Sequence, residues 1–121
     1  MNECKIPDEL LNNICTKIED QFGELSFKYR RVSITKELIA ATFEILNMET
    51  NKELPQNSRN LVKEKTPDGL DKRIKEKLNN NQRIGNIVSD ILEEVGLVAV
   101  FKRESATTGR IIKWTKSKIK W

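Results

Sequence analysis

The chain has 121 residues, enough for one domain with its own core. Hydrophobic residues make up 37% and charged residues 33%, the balance of a globular chain rather than a disordered or membrane-embedded one. Histidine is absent, which removes the commonest general base and the commonest metal ligand, and with them zinc fingers with histidine ligands, HExxH proteases and Ser-His-Asp triads. No apolar run approaches the roughly 18 residues of a membrane span. The start, "MNECKIPDELL", lacks the apolar segment of a secretory signal, so the expected compartment is the cytoplasm. Cys4 and Cys15 form neither a CxxC pair nor a metal-ligand spacing, and both are expected to be structural or incidental.

The net charge of +4 is unevenly spread. Residues 97–121 hold seven basic residues and one acid, net +6, whereas residues 1–96 hold fifteen basic and seventeen acidic residues, net −2. Positive charge concentrated in one quarter of a chain suits a polyanionic partner. A lysine-rich solubilising tail would give the same count.

Residues 7–22, "PDELLNNICTKIEDQF", predict a helix. Pro7 suits the first helical position, and Asp8 and Glu9 suit the positive end of the helix. Leu10, Leu11, Ile14, Ile18 and Phe22 make its apolar stripe, and Gly23 closes it. The segment 24–33 alternates Leu25, Phe27 and Tyr29 with polar residues, as a strand or an extended linker would. It also gathers Lys28, Arg30 and Arg31 into a second, smaller basic cluster.

Residues 34–48 predict a core helix with Thr35 as N-cap. Residues 49–57 are polar, contain Pro55 and are expected to be a loop. A short helix over 58–65 follows, then a helix over 67–78 started by Thr66 and Pro67, with Leu70, Ile74 and Leu78 in register. Asn79, Asn80 and Asn81 favour a turn. Residues 82–95 predict another helix, with Ile84, Ile87, Val88, Ile91, Leu92 and Val95 on its apolar side and Gly96 as cap. Two runs of β-formers, 97–104 and 110–115, flank the turn-like "SATTG" and predict a hairpin.

From residue 34 the order is helix, loop, helix, short turn, helix, glycine, strand, basic turn, strand. This order resembles a winged helix-turn-helix over about residues 34–116. The stretch "RIGNIVSDILEEVGLVAVFKRESATTGRIIKWT" is similar to the recognition helix and wing of MarR-like regulators. There the helix ends in acids and "GLV" (here Glu93, Glu94, Gly96, Leu97 and Val98), and a basic hairpin returns to a threonine (here Arg110 to Thr115). The long 49–66 segment and the lysine-rich end depart from that pattern. The expected fold is thus α+β and mostly helical: a winged helix over 34–121, preceded by an N-terminal helix and linker over 1–33. The first helix would pack on the core or form a homodimer contact, since regulators of this kind are usually dimers.

The resemblance implies a double-stranded DNA partner and no cofactor. A recognition helix enters the major groove by its N-terminal part. Gln82, Asn86 and Ser89 are spaced along one expected solvent face. Asparagine and glutamine can pair with adenine edges, and Arg83 with guanine. Asn80 and Asn81 would reach phosphates at the helix start. Lys102, Arg103, Lys113 and Lys116 would contact phosphates from the wing, with Thr107 and Thr108 at its tip and Arg110 as the residue probing the minor groove. Asp90, Glu93 and Glu94 would repel phosphate, so that half of the helix should tilt away. Each of these side chains could instead belong to an ordinary solvated surface. Trp114 and Trp121 are expected to pack rather than stack on bases.

Catalytic patterns are missing. The sequence contains no GxxxxGK[ST], GxGxxG or GxSxG, and its one Glu-x-Lys string, Glu3-Cys4-Lys5, lies on no expected strand. The expected function is therefore DNA binding without catalysis. It would serve a transcriptional regulator or the recognition module of a restriction or mobile-element system. Two other readings stay open: a winged-helix adaptor for protein contacts, and a binder of RNA or single strands.

Overall fold

The computed structural model describes residues 5–56, 69–79, 84–104 and 109–121. The order along the chain is α1 (Asp8–Phe22), β1 (Phe27–Tyr29), β2 (Val32–Ile34), α2 (Lys36–Asn47), a 3-10 turn (Thr50–Lys52), β3 (Glu53–Pro55), α3 (Leu70–Leu78), α4 (Gly85–Glu94), β4 (Val98–Glu104) and β5 (Ile111–Ser117). Among the described residues this is an α+β fold of four helices and two antiparallel sheets. The expected helix over 58–65 and the expected helix start at Thr66 and Pro67 lie outside the described residues.

α1 carries its stripe as expected, with Leu11, Ile14, Cys15 and Ile18 buried. Pro7 sits one position earlier than expected, as the extended residue before the first turn, and its carbonyl accepts from the Leu11 amide at 3.0 Å. Gly23 stops the helix at φ 90°, where a side chain would be strained, and donates to the Glu19 carbonyl at 2.7 Å. Ile6 and the stripe join the same core cluster as α2, α3, α4 and β4. The stripe therefore has its cover within the chain, the first of the two places expected for it. Burial also pushes the Cys15 thiol above its ordinary pKa, with Lys36 opposing the rise and Glu19 adding to it.

The alternating 24–33 segment folds as a hairpin with the next strand. Phe27 pairs with Ile34 and Tyr29 with Val32 on the inward face, while Lys28 and Ser33 pair on the exposed one. Val32 and Ile34 then lead into α2. There the Thr35 hydroxyl accepts from the Leu38 amide at 3.1 Å, the expected N-cap. α2 is the central helix: Leu38, Ile39, Phe43, Ile45 and Leu46 are all buried, each fully buried side chain of this size stabilising by roughly 1.5–3 kcal/mol.

The expected 49–57 loop holds a strand instead. β3 pairs antiparallel with β5, Leu54 opposite Thr115 and Pro55 opposite Trp114. The sheet order is β3-β5-β4, so β3 lies at an edge and tolerates a proline that cannot donate. α3 begins at Leu70 after Gly69, and Asn79 ends it in the left-handed conformation at φ 53°. Just past the end of α4, Gly96 at φ 78° donates its amide to the Glu93 carbonyl (3.0 Å) while the Leu97 amide donates to the Leu92 carbonyl (2.9 Å). This is the double closure of a Schellman motif, and it turns the chain straight into β4.

Candidate nucleic-acid interface

α4 and the β4–β5 hairpin hold most of the expected contact residues, and one buried polar chain fixes them to each other. Ser89 is fully buried, which corrects its expected place on the solvent face. Its hydroxyl lies 2.6 Å from the Gly85 carbonyl and 2.6 Å from the Thr115 hydroxyl on β5. The Gln56 amide donates to the same Thr115 oxygen at 3.1 Å. The cause of the correction is Gly85. A Cβ there would lie 2.5 Å from the Gln56 carbonyl and 2.8 Å from the Asp71 amide. Two small residues a turn apart let α4 press against the sheet and the start of α3, so the serine side turns inward.

The outward side of α4 begins with Asn86, half-buried, and continues with Asp90, Glu93 and Glu94. Two of these carboxylates are engaged from outside the helix. Arg30, at the tip of the β1–β2 hairpin, stands 3.4 Å from Asp90, and Gln21 at the end of α1 donates to Glu94 at 3.3 Å. Asn80, Asn81, Gln82 and Arg83 lie outside the described residues, as do Thr107 and Thr108.

The cations of the hairpin divide between its two faces. Lys102 and Lys113 are direct cross-strand partners and both are exposed. Like charges placed opposite each other weaken a strand pair, so this arrangement does nothing for the fold itself. Arg103 and Lys116 lie on the other face, where both reach Glu53 on β3, at 2.9 Å and 3.9 Å. The Arg103 guanidinium also sits over the Phe101 and Trp114 rings, 5.0 Å and 4.5 Å from their centroids. Arg103, expected beside Lys102 as a phosphate contact, thus also has partners within the sheet. Arg110 is exposed at the entry to β5, directly after Gly109 at φ 72°.

Trp114 is buried beneath that cation and beside Phe101, a packing residue as expected, and it offers no open platform for a base. Trp121 packs half-buried against the core. The roles of Gln56 and Thr115 are not legible in the sequence, because they depend on a strand pairing about sixty residues apart. Arg30 and Arg31 were visible as a cluster, but nothing placed them beside α4. No helix among the described residues is long and apolar enough to cross a membrane.

The sequence matches no family model. No curated protein matches it, and no solved structure matches it.

Proposed function

We propose that the segment from α2 to β5 is a winged helix-turn-helix that binds double-stranded DNA, with α4 as the reading helix and β4–β5 as the wing. The observation that carries this reading is the order α2, β3, α3, α4, β4, β5 joined to the sheet order β3-β5-β4. A strand following the first helix returns to hold the second wing strand, and the Ser89 and Thr115 hydroxyls, 2.6 Å apart, tie that wing strand to the reading helix. The exposed Lys102–Lys113 pair supports a polyanion as the partner, since phosphate would relieve its repulsion. In this reading Asn86, half-buried near the positive end of α4, would meet a base edge. Such a domain would serve a transcriptional regulator or the recognition module of a restriction or mobile-element system.

The test is fluorescence anisotropy with labelled random duplex at several salt concentrations. Three or four phosphate contacts give a log-affinity against log-salt slope of roughly −3 to −4. Absence of binding at low salt rejects the reading.

One observation favours a second reading, a winged-helix adaptor for protein contacts. The C-terminal half of α4 turns three carboxylates outward, which suits a basic protein surface better than a groove lined with phosphate.

A further inference from the structure

Between Tyr29 and Val32 the chain reverses through two residues only, Arg30 and Arg31, with φ of 51° and 68°. Positive φ at both central positions is the pattern of a type I′ turn, where asparagine and glycine are the ordinary occupants. Two arginines are poor choices there by backbone preference, because Cβ crowds the following carbonyl oxygen in the left-handed region and arginine lacks the short polar group with which asparagine compensates. What they supply is charge at an exposed tip. Arg30 lies over the Tyr29 ring, 5.1 Å from its centroid, and 3.4 Å from Asp90. That ion pair holds the tip beside α4, one helical turn after Asn86. Lys28 stands exposed on the outer face of the same hairpin. Among the described residues, Asp90 is the carboxylate that meets this cluster of three cations, and neither Lys28 nor Arg31 has an ion-pair partner.

We propose that the Arg30–Arg31 tip is a second phosphate contact, gripping the sugar-phosphate backbone of the duplex beside α4. This inference rests on the duplex-binding reading above. The tip would add charge where α4 itself is acidic. Arg30 screens Asp90 from the phosphates, and Arg31 reaches a phosphate directly.

The test compares wild type with Arg30→Asn and Arg31→Asn on the same random duplex across a salt series. Asparagine tolerates the left-handed backbone, so the turn is kept while the charge is lost. The expected result is weaker binding to every sequence, a salt slope shallower by about one for Arg31→Asn, and a melting temperature unchanged or raised. Arg31→Gly, which also fits φ 68°, should give the same loss of slope and serves if the asparagine variant folds poorly. Wild-type binding with an unaltered slope in folded variants at both arginines overturns the proposal and leaves the duplex reading standing. Failure of the wild type to bind duplex at low salt removes both.

Discussion

The hydroxyl oxygens of Ser89 and Thr115 lie 2.6 Å apart, and both residues are fully buried. The direction of each bond follows from its neighbours. Ser89 spends its hydrogen on the Gly85 carbonyl, so its oxygen accepts from Thr115, and the Thr115 oxygen accepts from the Gln56 amide. The chain Gln56, Thr115, Ser89 crosses from the end of β3 through β5 into α4. Thr115→Val keeps the shape but leaves a buried Gln56 donor without an acceptor. The expected cost is about 2 kcal/mol in stability. Ser89→Ala leaves the buried Thr115 hydroxyl without its acceptor, but alanine's helix preference offsets part of that, so its cost should be somewhat less, about 1.5 kcal/mol. Urea denaturation of both variants checks the order; equal stability to wild type would mean the network is not closed in solution.

Among the described glycines, Gly85 is the one packed hard against other backbone, at the Gln56 carbonyl and the Asp71 amide. An exposed helical glycine replaced by alanine ordinarily gains about 1 kcal/mol. Here the new methyl would meet backbone atoms at 2.5 Å and 2.8 Å, which cannot turn aside as a flexible side chain would. Gly85→Ala is therefore expected to destabilise by about 2 kcal/mol, the cost of overpacking outweighing the helix gain. The readout is the urea midpoint at unchanged slope.

These two relationships mark the boundary of what the sequence made legible. Helix spacing depends on neighbours three and four residues away, so α1, α2, the register of α3 and α4, the Thr35 cap and the Gly23 and Gly96 stops could all be read locally. The β4–β5 hairpin announced itself by two β-rich runs around a small polar turn. β3 did not, because three residues ending in proline carry no periodicity and their partner lies far along the chain. The inward side of Ser89 is hidden from the sequence for a related reason. Hydroxyl residues are usually exposed, and only the closeness allowed by Gly85 turned this one inward. The split of the hairpin cations was equally hidden. Residue parity separates Arg103 from Lys102, but which face meets Glu53 is decided by the pairing of β3 with β5.

That split predicts that stability and binding come apart within one hairpin. Lys102→Ala with Lys113→Ala removes a repelling pair, so the melting temperature should stay or rise slightly while duplex affinity falls and the salt slope drops by about two. Arg103→Ala removes the cover over Trp114 and the contact with Glu53, and should cost about 1 kcal/mol in stability with a smaller change in slope. Thermal melts and salt titrations on the same three proteins decide it. An Arg103 variant that loses as much slope as the lysine pair would put that arginine on the nucleic acid after all.

The carboxylates of α4 separate the two readings of function most directly. Glu93 and Glu94 are exposed and Asp90 is half-buried, so neutralising them should change stability by no more than about 0.5 kcal/mol apart from the Arg30 contact. In a duplex complex they oppose the phosphate charge. The triple change Asp90→Asn, Glu93→Gln and Glu94→Gln is then expected to tighten binding to random duplex several-fold at low salt, with the gain fading as salt rises. In a protein adaptor the same carboxylates would make the contact, and neutralising them would leave duplex binding unaffected. The Arg30 ion pair sharpens the comparison. Asp90→Asn alone frees that guanidinium, so in a DNA-binding protein it should account for more of the gain than Glu93→Gln does. An anisotropy series on the single and triple variants measures each share, and a triple variant that binds duplex no better than wild type would count against α4 lying on the DNA.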